Sequence, residues 1–326
     1  MVSPYPLKFH PILKEKIWGG QKITHELNKD TTGLENCGET WEISGVPGNI
    51  SVVSNGPLTG TPLPDLIDQY QGELVGEKVY QKEGNNFPLL VKFIDANQDL
   101  SIQVHPDDAL AQKRHQSLGK TEMWYIFQSD PGAKLIVGFN QALNKEKYLD
   151  YFNNGRLMEV LNQEEVSADD VYFVPAGRVH TIGKGILLAE IQQTSDITYR
   201  IYDFDRVDKN GNARELHTEQ ALDALDFQHY PQYKTEYDQS SNQAVSIVNS
   251  PYFEVNRLFF DQETTRTYHH LDSFVIYVCV DGKLSIHWDG QHITMSKGEA
   301  ALIPASIKTL KLIPDSSFKV LESYIP

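Results

Sequence analysis

Apolar and polar residues along this chain alternate mostly with a period of two, the pattern of a strand with one face turned inward. The runs Leu89 to Ile94, Asp99 to His105, Met123 to Phe127, Leu135 to Phe139, Val171 to Val174 and Phe274 to Val280 are short and rich in branched or aromatic residues. Turn residues separate them, so the expected architecture is a sandwich or barrel of many short strands. Helical signals are few and cover Pro106 to Gln116, Asn144 to Phe152 and Thr218 to Leu225. Asp107, Asp108 and Glu219 stand near the starts of these segments, where a carboxylate complements the helix dipole. Asp281-Gly282 between two apolar runs predicts a hairpin turn. A helix-rich fold is excluded, and no short fixed repeat runs through the chain.

The polar stretch Asp238 to Gln243 lacks apolar periodicity and marks a boundary between Phe227 and Ser250. A length of 326 residues suits two domains. The expected division is 1–235 for the domain that carries chemistry and 236–326 for a second set of strands. With 40% hydrophobic and 22% charged residues, the chain can offset the entropy of ordering, so disorder is excluded as its main state. Lys and Arg number 29 against 44 Asp and Glu, a net charge of −15 that repels nucleic-acid backbones. A small anionic substrate remains open, because a few local cations outweigh a distant net charge. Cys37 and Cys279 are the two cysteines and fit no metal or redox spacing, which points to a reducing compartment. No apolar stretch is long enough for a signal peptide or a membrane helix, so the expected location is the cytoplasm, with no membrane partner.

Gln103 and His105 lie two apart on an expected strand, so both leave the same face with Cα atoms roughly 6.6 Å apart. Glu122 heads the aromatic strand that follows, and a carboxylate buried there needs a partner. His180 closes the turn Pro175-Ala176-Gly177-Arg178-Val179-His180. Two neutral imidazoles, a carboxylate and a side-chain amide make a nitrogen–oxygen site for a divalent cation. Zinc with an open water position is its expected occupant. Each of these residues has an ordinary structural use by itself; their order along the chain is the informative part.

That order resembles the cupin signature. Pro175-x-Gly177-x-x-His180 matches the second cupin motif, and Gln103-x-His105 with Glu122 resembles the first, with Gln in place of one His. The resemblance narrows with Leu100 to Asp108 and Gly119-Lys120-Thr121-Glu122-Met123, which are similar to segments of the type I mannose-6-phosphate isomerases in their short bacterial form. Ile17-Trp18-Gly19-Gly20, Gly38-Glu39-Thr40-Trp41-Glu42 and the block from Val174 to Arg206 fit the same family. The resemblance implies a mainly β fold of two cupin or jelly-roll sandwiches with a few short helices. It also implies a zinc-dependent interconversion of mannose 6-phosphate and fructose 6-phosphate through an enediol(ate).

Gln103, His105, Glu122 and His180 then take the roles of ligands to one Zn2+ per chain, and Arg200 that of the active-site arginine. Moving a carbonyl between C1 and C2 needs a base, an electrophile and exclusion of water. Lys120, Glu190 and Asp196 are the candidate bases, Lys120 on the expectation that nearby zinc and Arg200 depress its pKa. Ser101 and Arg206 are the candidate phosphate residues, Arg206 because an even spacing from Arg200 keeps both on one strand face. Gly119 stands where the longer enzymes have a histidine. Toward the C-terminus, Gly298 to Pro304 has the spacing of a second cupin motif. Ser306, Thr309 and Val275 replace its glycine, histidine and acid, and His269 and His270 are adjacent on an expected strand, which points them to opposite faces. Other readings weighed are an iron oxygenase, a non-catalytic phosphosugar-binding cupin and a metal cupin acting on another sugar phosphate.

Overall fold

A computed structural model describes residues 2–207 and 210–326, so Met1, Asp208 and Lys209 lie outside the described residues. The fold is mainly β, as expected. Its first sheet has seven antiparallel strands in the order Ile12–Gly20, Cys37–Ile43, Leu89–Ala96, Ile186–Gln193, Glu122–Ser129, Val171–Val174 and Lys234–Thr235. A second sheet of five strands runs Tyr199–Tyr202, Ile102–Val104, His180–Thr181, Lys134–Phe139 and Leu161–Glu165. A third, of seven strands, is built on Gln243–Asn249, Glu254–Phe260, Thr309–Tyr324, Val275–Trp288 and Gln291–Ser296, with Thr264–Thr267 and Ala300–Ile303 paired at its sides.

The central strands of the first sheet read as nearly continuous apolar runs because both of their faces are buried. Val91, Phe93, Leu187, Ala189, Met123 and Tyr125 share one core with the C-terminal strands. Their alternate neighbours Ile94, Leu188, Trp124 and Ile126 belong to a separate core together with Leu135 and Val137 of the second sheet. On that second face stand Lys92, Glu190 and Glu122, polar interruptions in an otherwise apolar layer. The registers put Glu190 opposite both Lys92 and Trp124, and Gln192 opposite Glu122.

Three expected helices are present, at Asp108–His115, Lys145–Asn153 and Thr218–Ala224. Helices at Lys22–Leu27, Leu63–Tyr70, Gly72–Val75 and Glu77–Glu83 were not anticipated. Leu63–Tyr70 buries Leu63, Leu66, Ile67 and Tyr70, an i, i+3, i+4, i+7 stripe packed into the core shared with the C-terminal strands.

Three local expectations are corrected. Asp281-Gly282 is not a hairpin turn: Val275–Trp288 runs straight through it, and register shifts beside the positive φ of Gly282 mark a bulge. The hairpin comes at the next Asp-Gly, where Asp289 and Gly290 both take positive φ between the paired Trp288 and Gln291. The strand carrying Arg200 ends at Tyr202, and positive φ at Phe204 and Asp205 turns the chain, so Arg200 and Arg206 do not share a strand face. His269 and His270 are exposed in a turn after Thr264–Thr267, not on a strand.

Candidate active site

His105 leaves the end of the strand Ile102–Val104, and the Pro175–His180 turn is tied to it by the Gly177 amide donating to the His105 carbonyl (2.9 Å). His180 starts its own short strand, paired with Gln103 on one side and Val137 on the other. The ligand atoms of His105, Glu122 and His180 lie within 4.8 Å of one another, and all three residues are buried. Among the described residues this is the one such cluster. Gln103 lies beside the cluster, its Nε2 being 3.3 Å from His180 Nε2 and its Oε1 accepting from Ser101 Oγ at 3.3 Å.

The protonation states follow from the neighbours. His105 Nδ1 meets the Ile197 carbonyl and His180 Nδ1 the Arg178 carbonyl, each at 2.8 Å. A carbonyl only accepts, so both Nδ1 atoms carry hydrogen and both Nε2 atoms present lone pairs. Burial lowers the pKa of His180 to about 4, and burial followed by the Lys120 charge takes His105 well below the usual imidazole range. Glu122 Oε1 lies 3.3 Å from His180 Nε2 and Oε2 lies 3.5 Å from His105 Nε2. Glu122 Oε1 has no hydrogen-bond donor. Oε1 facing the His180 lone pair in the interior leaves room for a cation, and this donor set suits a divalent metal.

Lys120 Nζ stands beside the cluster, 2.7 Å from Glu122 Oε2, 3.1 Å from His105 Nε2 and 3.9 Å from Glu190 Oε1. Burial alone would lower its pKa, but Glu122 and Glu190 outweigh burial and raise it. Glu190 also accepts from Lys92 Nζ at 3.0 Å and from Trp124 Nε1 at 2.9 Å. Burial opposes ionisation of Glu190, yet Lys120, Lys92 and these hydrogen bonds hold it below the usual carboxylate range. Asp196 sits exposed at the rim.

The segment bearing Lys120 is clamped from behind. Asp108 Oδ1 accepts from the Gly119 amide (2.8 Å) and from Gln193 Nε2 (3.0 Å), while Gln193 Oε1 accepts from the Thr121 amide (2.9 Å). A Cβ on Gly119 would come within 2.6 Å of the Asp107 and Asp108 backbone, so no side chain fits at that position.

A cleft of about 130 Å³ opens over the cluster and is lined by Ser101, Gln103, Lys120, Glu190, Asp196 and Arg200. The cleft meets the cluster through Gln103 and Lys120, which neighbour His180 and Glu122, and larger depressions of about 210 and 360 Å³ share no lining residue with it. Sequence reasoning did not single out Lys16, Glu39, Lys92 or Arg214, which also line the cleft. Glu39 accepts from Trp41 Nε1 at 2.7 Å and pairs with Lys16 at 3.1 Å, and Lys92 Nζ lies 5.2 Å from the centre of the Trp41 ring. Trp18 and Trp41, both in segments quoted for the family resemblance, were the available signal for this wall. Their strands meet closely because Gly19 faces Gly38, where a Cβ would lie 2.5 Å from the Gly38 amide nitrogen.

Arg200 stands opposite Gln103 in the second sheet, its Nη1 donating to the Glu215 carbonyl at 2.8 Å. Arg206 is turned onto Asp203 (2.5 Å) and the Asp99 carbonyl, and it does not line the cleft.

The family of type I phosphomannose isomerase catalytic domains matches residues 7–125, and that of the mannose-6-phosphate isomerase cupin domain matches residues 244–324. A mannose-6-phosphate isomerase of Streptococcus mutans is 35% identical, over 98% of this chain and 98% of its own. One of Bacillus subtilis is 34% identical, over 94% of this chain and 95% of its own. The crystal structure of the mannose 6-phosphate isomerase from Bacillus subtilis superposes with a TM-score of 0.88 at 32% identity, covering 98% of this chain and 99% of that one.

Proposed function

The chain belongs to the type I phosphomannose isomerase family, and on that premise we propose that it interconverts mannose 6-phosphate and fructose 6-phosphate through an enediol(ate). The observation that carries the reading is Glu122, buried with a donor-less oxygen between two neutral imidazoles beside a cleft lined with cations. Gln103, His105, Glu122 and His180 would hold one Zn2+, the divalent ion this nitrogen–oxygen donor set suits best. When bound, zinc supplies a Lewis acid that polarises the sugar's carbonyl and hydroxyl oxygens.

The chain's own residues account for the rest. In the aldose-to-ketose direction a proton leaves C2 and is delivered to C1, while a hydroxyl proton passes from O2 to O1. We assign these transfers to Lys120 and Glu190, 3.9 Å apart in the cleft wall, with Asp196 at the rim as the third candidate. Arg200 offers fixed donors to an oxyanion and stays charged at any working pH. Gln193 and Asp108 hold the backbone on both sides of Lys120, so its amine keeps one position relative to Glu122 and Glu190. Trp18 and Trp41 border the sugar and exclude water from it.

We place the protein in the cytoplasm, in keeping with two free buried cysteines and no helix among the described residues long and apolar enough to cross a membrane. We also propose the division into 1–235 and 236–326. The chain passes from the first sheet at Lys234–Thr235 to the third at Gln243–Asn249. The test is conversion of mannose 6-phosphate by chelator-stripped protein, before and after zinc is added back. Loss on stripping and return with zinc is the expected result. Full activity in metal-free protein would overturn the zinc assignment, and no activity with zinc bound would overturn the reaction.

A further inference from the structure

Three guanidinium groups gather around one carboxylate at the Arg200 side of the cleft. Asp203, 5% exposed, accepts from Arg214 through Nε (2.7 Å) and Nη2 (2.5 Å) and from Arg206 Nη2 (2.5 Å). Arg200 lies within their electrostatic reach, and its buried Nε has no hydrogen-bond partner among the described residues. Of the other nearby carboxylates, Asp205 accepts from the Tyr202 hydroxyl (3.1 Å), and that of Glu215 is exposed and acts on Arg200 only through its field. Asp203 forms ion pairs with two of the three guanidiniums, Arg206 and Arg214, and the Arg200 Nε is left for an anion in the cleft. Burial, followed by repulsion from Arg214, lowers the pKa of Arg200, as expected where cations crowd.

Arg206 and Arg214 differ in where they sit. Arg206 spends its donors on Asp203 and the Asp99 carbonyl, with its guanidinium 5.5 Å from the centre of the Phe204 ring, and it is absent from the cleft wall. Arg214 lines the cleft alongside Arg200 and Ser101 while Asp203 grips it along its Nε–Nη2 edge. We infer that Arg214, paired with Arg200, is the phosphate-binding residue of the cleft, and that Asp203 and Arg206 form the frame that aims it. This rests on the reading of the substrate as a sugar phosphate. A phosphate monoester brings close to two negative charges and acceptor oxygens on three sides, which suits two guanidiniums held in fixed planes.

The experiment uses the full zinc-loaded chain and three variants, Arg214→Met, Arg214→Lys and Arg206→Met. It measures KM for mannose 6-phosphate, and calorimetric affinity for inorganic phosphate. Arg214→Met is expected to weaken both by about ten- to a hundredfold with zinc content unchanged. Arg214→Lys keeps the charge but not the fork, and is expected to recover part of the loss. Unaltered phosphate affinity in folded Arg214→Met would overturn the inference, as would a larger loss in Arg206→Met than in Arg214→Met. If Arg214→Met does not fold by circular dichroism, Arg214→Lys decides, and wild-type affinity and KM in that variant would overturn it. If the wild-type chain shows no turnover, the isomerase reading fails by itself. Phosphate affinity across the same variants still judges Arg214.

Discussion

Two fully buried glutamates, one in each half of the molecule, solve the same electrostatic problem in different ways. Glu322, on the long C-terminal strand, accepts from Arg266 through Nε (3.0 Å) and Nη2 (2.7 Å), from the Tyr268 hydroxyl (2.5 Å) and from Asn256 (3.0 Å). Every lone pair that needs a donor has one inside the chain, so this site is complete as folded. Glu122 faces Lys120 on one side and two neutral imidazole lone pairs on the other, with one oxygen unpaired. A carboxylate left in that state costs several kcal/mol, which a bound cation offsets. The comparison separates a structural carboxylate from a ligand without reference to any relative: the question is whether the chain itself provides the donors.

The contrast is broken most directly at Glu122. Replacing it by Gln removes the one anionic ligand, and a Lewis acid contributing several kcal/mol is lost with the metal. Turnover is therefore expected to fall on the order of 10³-fold, with zinc content near zero by elemental analysis. The same variant without metal should unfold at an equal or higher urea concentration than metal-free wild type. Burial and Glu190 already disfavour the Glu122 charge, raising its pKa to about 7 despite Lys120, and the amide carries no charge. Normal zinc content together with normal turnover would remove Glu122 from the site and end the comparison.

Arg266→Met is the converse test and the next largest in effect. It strands the Glu322 charge while leaving the cleft untouched, and is expected to cost about 3 kcal/mol of stability by urea titration. Zinc content and KM should stay as in wild type. A loss below about 1 kcal/mol would mean that the Tyr268 hydroxyl and Asn256 suffice for Glu322, and that Arg266 is not the cation that completes the site.

How much of this could be read from the chain follows from the distances over which each feature is specified. Gln103 and His105 lie two apart at one strand end and the Pro175–His180 turn spans six residues, so each piece was local. Their order along the chain with Glu122, through its resemblance to the cupin signature, joined them. The partnership of Lys92 with Glu190 spans 98 residues and exists only through the register of two central strands. Arg214 reaches the cleft after a turn set by positive φ at Phe204 and Asp205, which no periodicity records. The dipeptide Asp-Gly shows why local signals run out, since it serves as a bulge at 281–282 and as a hairpin turn at 289–290. The helices between Leu63 and Glu83 were missed because each is only four to eight residues long, too short for a period of 3.6 to stand out from the strands around it.

The two halves meet at a third carboxylate, and there the smallest effect is expected. Asp169 accepts from Lys319 of the C-terminal strand at 2.6 Å and from the Tyr125 hydroxyl of the first sheet at 2.5 Å. Burial would raise its pKa, but these two partners outweigh burial and hold it below the usual carboxylate value. A carboxyl whose pKa is lowered by folding adds stability above its unfolded pKa of about 3.9, and that contribution fades as pH falls through the folded value. Lys319→Met should therefore lose about 0.5–1 kcal/mol at pH 7, a modest amount because the pair is partly open to solvent. The gap between wild type and variant in urea titrations should stay level from pH 7 to about 5 and narrow progressively below about 4, as pH approaches the lowered folded value. A gap that does not narrow at all as pH falls below about 4 would show that Lys319 acts through packing against Phe259, whose ring centre lies 5.8 Å from its ammonium, and not through its charge. Asp169 would then no longer count as an ionic tie between the two halves.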